Sequence, residues 1–78
     1  MDKAKFDAIF PIIVAAMVDR IANEKEISDE KAIEEFYTSQ LYYALENEQT
    51  KVWQYSTEKL YDLYIKEKQN GRLELPNY

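Results

Sequence analysis

The sequence predicts an all-α protein: a compact bundle of about four helices, with a long apolar N-terminal helix at its centre and a short extended C-terminal tail. Three observations lead to this prediction. An almost continuous apolar segment near the N-terminus has helical spacing, serines stand where later helices are expected to begin, and the one β-like stretch has no second strand to pair with. We assign all 78 residues to a single domain.

The first predicted helix spans residues 6–22, FDAIFPIIVAAMVDRIA. At about 100° per residue, two opposite sides of this helix are apolar. One side carries Phe6, Ile9, Phe10, Ile13, Met17 and Ile21, and the other carries Ala8, Ile12, Ala15, Val18 and Ala22. A helix that is apolar all round is buried on several sides. Either other helices of this chain surround it, or a second copy of the chain covers what they leave open.

Pro11 lies inside this apolar segment, where a proline removes one backbone hydrogen bond and clashes with the carbonyl four residues earlier. Two outcomes fit the sequence. Either the helix is kinked at Pro11, or it begins near Pro11 after a looser first turn over residues 3–10.

The second and third helices are predicted from a cap and from a change of phase. A polar connection over residues 23–27 leads to Ser28, whose side chain is expected to cap the second helix. The apolar spacing then loses its phase near Thr38 and Ser39. We therefore predict a turn at that point and a short third helix over residues 40–46.

The last third of the chain predicts one more helix and a tail. Residues 50–55, TKVWQY, fit either a short strand or a helical turn, and we favour a turn that places Trp53 in the core. Ser56 is expected to cap the fourth helix, which Gly71 closes by taking the left-handed conformation. Residues 72–78 are predicted to lie extended along the body.

The composition argues against several classes of site. The chain has neither cysteine nor histidine, so it has no disulfide, no thiol nucleophile and none of the commonest zinc ligands. Neither the GxxxxGK[ST] nor the GxGxxG phosphate loop occurs. We therefore predict a protein that is not an enzyme, with no catalytic residue, no metal or cofactor site and no small-molecule substrate.

An acidic cluster is the nearest approach to a metal site. Its members are Glu24, Glu26, Asp29, Glu30, Glu34 and Glu35. A calcium-binding hand needs a glycine within its loop, and the one glycine of this chain is Gly71. We interpret the cluster as a solvated helix face.

The charge and the apolar run predict where the protein works. The net charge is -5, and a negative protein is repelled by phosphate backbones and anionic lipid. The apolar run of residues 8–18 is also shorter than the ~20 residues that a membrane-spanning helix needs. We expect a cytoplasmic protein without a membrane partner, and the charge argues against nucleic acid.

Aromatic residues supply the candidate contact residues. Seven tyrosines, one tryptophan and three phenylalanines exceed what so small a core can bury with every hydroxyl satisfied. Tyrosines are favoured at protein contacts because they combine a large stiff ring with a polar tip. We predict partner binding by Tyr42, Tyr43, Tyr61 and Tyr64, with half-buried positions in an ordinary core as the alternative.

A helix-turn-helix interpretation fits the lengths of the second and third helices but not their chemistry. The third helix reads QLYYALE and has no cation for bases or phosphates. Lys59, Lys66, Lys68 and Arg72 on and after the last helix fit nucleic acid or the acidic face of a protein partner equally well.

Residues 33–71, with the TKVW turn followed by YSTEKLYDLYIKEKQNG, resemble small uncharacterised helical proteins of low-GC Gram-positive bacteria. Some of these families are encoded beside toxin-like genes. The resemblance implies an accessory protein that binds another protein, and it carries over no functional residue.

These observations lead to a ranked set of functions. The first is a non-catalytic protein–protein interaction module that self-associates, as a homodimer, through surplus apolar surface on its first and last helices. On the last helix this surface spans an arc of roughly 200° and consists of Leu60, Tyr61, Leu63, Tyr64 and Ile65. The second is an antitoxin-like neutraliser or regulator of a partner protein. A helix-turn-helix nucleic-acid binder ranks third.

Overall fold

The computed structural model describes residues 3–75, and within that range every regular element is a helix. The elements are α1 (Lys3–Lys25), α2 (Asp29–Tyr37), α3 (Gln40–Glu46), two 3₁₀ helices (Glu48–Thr50 and Val52–Gln54) and α4 (Thr57–Asn70). They form a bundle that measures 36 × 26 × 19 Å. The prediction of an all-α bundle of four helices is confirmed.

The helix α1 passes through Pro11 without interruption and extends to Lys25. The alternative in which the helix begins near Pro11 is therefore wrong, and the predicted connection over residues 23–27 is shorter than expected. Glu26 ends the helix by taking a left-handed conformation, with φ 56°. The backbone N–H of Ile27 then donates to the Ala22 carbonyl at 3.1 Å, which satisfies one of the free carbonyls at the helix end.

The core lies on one side of α1, between that helix, α2, α4 and the second 3₁₀ helix. Its fully buried side chains include Met17, Ile21, Phe36, Leu41, Leu45, Val52, Leu60 and Tyr64. Trp53 is 5% exposed, and its indole N–H donates to the Glu48 carbonyl at 2.9 Å. A helical turn that places Trp53 in the core is thus confirmed, although the turn consists of two 3₁₀ helices.

Serine side chains begin three of the four α-helices. Ser28, Ser39 and Ser56 each have extended backbone and accept a hydrogen bond from the N–H three residues later. Each therefore satisfies one of the N–H groups that a helix leaves free at its start. Gly71 closes α4 with φ 80°, as the sequence predicts.

A carboxylate from α4 holds the start of α3. Glu67 is 7% exposed, and its two oxygens accept from the N–H groups of Gln40 at 2.8 Å and Leu41 at 3.0 Å. The Gln40 side chain in turn accepts from the N–H of Leu73 at 2.9 Å. These bonds attach the first part of the predicted tail to the body, while Pro76, Asn77 and Tyr78 lie outside the described residues.

Candidate interaction surface

One side of α1 remains uncovered by the rest of the chain. It consists of Lys5, Ala8, Ile12, Ala15 and Asp19, which are all exposed and which we call the α1 seam. Their spacing of three and four residues places them within an arc of about 80° on the helix. Ile12 is 69% exposed, the largest exposed fraction among the large apolar side chains of residues 3–75.

The seam is open because the chain has too little helix to cover both sides of α1. The opposite side places bulky residues such as Phe6, Met17 and Ile21 in the core. The two helices that follow α1 have only nine and seven residues. The side of α1 that carries Ala8, Ile12 and Ala15 therefore faces solvent. Packing within the chain buries Val18 and Ala22 of the second apolar side but leaves those three residues exposed.

A groove of about 580 Å³ adjoins the seam between α1 and α2. It is lined by Phe10, Pro11, Val14, Ala15, Val18 and Asp19 of α1 and by Asp29, Ile33 and Tyr37 of α2. Ile33 and Tyr37, on the α2 wall, are 40% and 46% exposed. The lining is thus mainly apolar. Its two carboxylates are Asp19 and Asp29, the lining residues of α1 and α2 that lie nearest in sequence to the turn between these helices. Its volume is comparable to ligand pockets.

The four tyrosines predicted to bind a partner have different environments. Tyr43 is 68% exposed, whereas Tyr64 is 0% exposed and therefore does not lie on an accessible surface. Tyr42 is half-buried, with its ring stacked on Tyr37 at a centroid distance of 4.5 Å. Tyr61 is half-buried beneath the Arg20 guanidinium, which lies 4.7 Å from the ring centroid. Partner binding stays a prediction for the three accessible rings.

Tyr42 and Tyr37 belong to an aromatic cluster at one end of the groove. The ring of Tyr42 also lies 6.0 Å from Phe10 and 5.5 Å from Phe36, measured between centroids. Burial raises the pKa of the Tyr42 hydroxyl, and the Glu46 carboxylate adds to the increase. The cluster joins α1, α2 and α3, so its packing fixes the end of the groove.

The buried Tyr64 is surrounded by charged side chains. The ammonium groups of Lys25 and Lys68 lie 5.7 Å and 5.2 Å from its ring centroid, within range of cation–π attraction. The Tyr64 hydroxyl has no hydrogen-bond partner among the described residues. Lys25 also pairs with Glu35 at 3.1 Å. A sequence with seven tyrosines gave no sign of which ring these lysines would cover.

The ionisation of this cluster does not suit proton transfer at neutral pH. The hydrogen bond from Lys25 lowers the pKa of the Glu35 carboxyl. Burial, together with the Glu35 and Glu67 carboxylates, raises the pKa of Tyr64 to about 12. Both values move away from neutrality, whereas an acid–base pair works best with a pKa near the working pH. The cluster is better explained as a packed part of the α1–α2–α4 contact.

The acidic cluster does not converge on one point. Glu24 pairs with Arg20 at 3.1 Å, Glu34 with Lys31 at 3.4 Å, and Glu35 with Lys25. In the part of the chain that the structure describes, no group of three acidic side chains is arranged to hold a metal ion. Pairing with neighbouring lysine and arginine side chains is typical of a solvated helix face.

The lengths of α2, the turn and α3 match those of a helix-turn-helix, but the N–H groups at the start of α3 are already bonded. The Glu67 carboxylate accepts from the first two N–H groups of α3 and places a negative charge beside them. A phosphate would be repelled at this point, and α3 has no cation to offset the repulsion. The geometry therefore argues further against nucleic-acid binding through this unit.

Comparisons with protein-family models, with curated proteins and with solved structures each find no match for this chain. Within residues 3–75, no helix has both the length and the hydrophobicity needed to cross a membrane.

Proposed function

We propose that this protein is a non-catalytic interaction module that self-associates through the α1 seam. The observation that carries the proposal is the exposure of Ile12, at 69%, in the middle of an otherwise small-residue, apolar side of a long helix. Contiguous exposed apolar surface on a small protein is typical of an interaction site. Covering the seam with a second copy removes this surface from water.

The groove extends the same surface across α2. Pro11 and Ala15 belong to its α1 wall, and Ile33 and Tyr37 lie exposed on the other wall. Apolar surface thus continues from the seam to α2. An arrangement of this kind accommodates a helix from a partner more readily than it performs a reaction.

The experiment compares sedimentation of the wild type, Ile12→Lys and Tyr43→Lys over a range of concentrations. Ile12 and Tyr43 are 69% and 68% exposed, so the two substitutions are matched in exposure and in added charge. We expect the wild type and Tyr43→Lys to dimerise and Ile12→Lys to stay monomeric. If Ile12→Lys dimerises and Tyr43→Lys is monomeric, the dimer contact involves Tyr43 and not the α1 seam, which would contradict the proposal.

A neutraliser of a partner protein is the second candidate, and the groove is the observation that favours it. An apolar groove with Asp19 and Asp29 in its lining suits an apolar helix that has a cation beside its apolar face. The test is protection of cells that express a toxic protein encoded beside this gene. Ile33→Lys, in the groove wall, should abolish protection, while Gln69→Lys, exposed on α4 and outside the groove lining, should keep it. Equal protection by both variants would contradict a role for the groove.

A further inference from the structure

We infer that the partner on the α1 seam is a second copy of this chain in antiparallel orientation, with a two-fold axis at Ile12 and an ion pair between Lys5 and Asp19 on each side. This inference rests on the proposed self-association and adds its geometry. Its basis is the order of charges along the seam.

The seam has a cation at one end, an anion at the other and apolar residues between. Lys5, Ile12 and Asp19 follow one another at intervals of seven residues, the repeat of a helix–helix contact. At 1.5 Å per residue, the two charges are separated by roughly 21 Å along the helix. Ile12 lies midway between them.

Neither seam charge has an ion-pair partner within the described residues of its own chain. Nearby charges on α1 are paired, since Lys3 contacts Asp7 at 3.1 Å and Arg20 contacts Glu24 at 3.1 Å. Lys5 and Asp19 are exposed and take part in none of the ion pairs within residues 3–75. Among the charged residues of α1, those without an ion-pair partner within residues 3–75 are thus the two that end its uncovered apolar side.

Only one relative orientation pairs these charges. With an antiparallel copy centred on Ile12, Lys5 meets the partner's Asp19, and Asp19 meets the partner's Lys5. A parallel copy in register sets like charges against each other at both ends. A two-fold contact requires a surface that is complementary to itself when reversed, and the seam has this property. The helix dipoles also favour the antiparallel arrangement.

The small residues beside Ile12 allow the two helices to approach closely. Ala8 and Ala15 lie about one turn before and after Ile12 and are exposed. The isoleucine of each copy can therefore pack over the alanines of the other, which brings the helix axes towards the short end of the usual 8–10 Å spacing. Apolar burial provides most of the affinity, while the ion pairs select the orientation.

Charge reversal tests the orientation by sedimentation of full-length variants. Lys5→Glu and Asp19→Lys each convert both ion pairs of a homodimer into repulsions, so each should weaken self-association by about tenfold. The double variant Lys5→Glu/Asp19→Lys should recover dimerisation. Lys59→Glu on α4, an exposed site away from the seam, makes the same change in net charge as Lys5→Glu and should dimerise like the wild type.

Three outcomes overturn the inference. In the first, both single variants dimerise like the wild type. In the second, both single variants are weakened but the double variant does not recover dimerisation, which shows that Lys5 and Asp19 do not face each other across the contact. In the third, Lys59→Glu weakens dimerisation as much as Lys5→Glu does, which attributes the effect of Lys5→Glu to net charge. A monomeric wild type is a distinct result, because it refutes the proposed self-association itself.

Cross-linking gives a second readout that does not depend on charge. The chain has no cysteine, so a single introduced thiol can form a disulfide only with the same position of a second copy. Ile12→Cys lies on the proposed axis and should form a disulfide-linked dimer under mild oxidation, because the two copies of this position face each other. Lys59→Cys, exposed on α4 and away from the seam, should stay unlinked. Rapid linkage by Lys5→Cys indicates the parallel arrangement and overturns the inference, because in the antiparallel dimer the two copies of position 5 lie at opposite ends of the seam, roughly 21 Å apart along the helix axis.

Discussion

The two sides of α1 are similar in hydrophobicity but lie in different environments. Met17 and Ile21 on one side are 0% exposed, whereas Ile12 on the other is 69% exposed. The difference follows from the amount of helix available to pack against α1, since bulky residues gain most from burial and occupy the covered side. An apolar sequence therefore marks surface that must be covered, but it does not say whether the same chain covers it.

The largest effect should come from a matched pair of isoleucines. Ile21→Ala removes a fully buried side chain and should lower the free energy of unfolding by about 2–5 kcal/mol. Ile12→Ala should change the stability of the monomer by less than about 0.5 kcal/mol, because the side chain is exposed there. Urea denaturation at low protein concentration measures both values. Equal losses would contradict the difference between the two sides of α1.

A buried and an exposed carboxylate should also differ in their contribution to stability. Glu67→Ala leaves two backbone N–H groups of α3 without acceptors and should cost about 1–3 kcal/mol of unfolding free energy. Glu74→Ala removes only a surface pair with Arg72, at 3.3 Å, and should cost less than about 0.5 kcal/mol. Denaturant titration of the two variants provides the comparison. A small loss for Glu67→Ala would show that water replaces the carboxylate at the start of α3.

The buried Tyr64 should make the free energy of unfolding depend on pH in the alkaline range. The pKa of Tyr64 is raised to about 12 in the folded protein, above its ordinary value of 10.0. The unfolded chain therefore loses this proton first, so stability from this group is complete below pH 10.0 and is lost as the pH rises towards 12. Tyr64→Phe should reduce that loss, and Tyr43→Phe should not. Unfolding free energies measured between these pH values test the expectation.

The smallest effect concerns the turn that ends α1. Glu26 has a φ of 56°, a conformation that favours glycine. Glu26→Gly should raise the unfolding free energy by up to about 1 kcal/mol, because it removes local strain in an exposed residue. The exposed helical residue Asn23 is the control, since Asn23→Gly should be destabilising. Thermal unfolding of both variants gives the sign of each change.

Sequence patterns predicted the parts of the fold that depend on local interactions. Ser28, Ser39 and Ser56 cap helices because their hydroxyls bond to N–H groups only three residues away. Gly71 ends α4 for an equally local reason. Pro11 was harder to place, because the packing of α1 on its neighbours holds a continuous helix despite the hydrogen bond that proline removes.

The candidate site depends on contacts between distant residues, so the sequence predicted less of it. Glu67 meets Gln40 across 27 positions, and its place between two lysines resembles that of a surface acid. Tyr64 looked as available as Tyr61 until the packing of α4 buried it. The seam did leave a signal, because Lys5, Ile12 and Asp19 recur at seven-residue intervals on one side of the first helix.

Sedimentation equilibrium of the wild-type protein tests the self-association most directly. The chain has a mass of 9.3 kDa, and the exposed seam predicts a species of twice that mass that forms reversibly as concentration rises. The mass of a single chain at every concentration would contradict the account, because Ile12 and its neighbours would then remain open to solvent in the isolated protein.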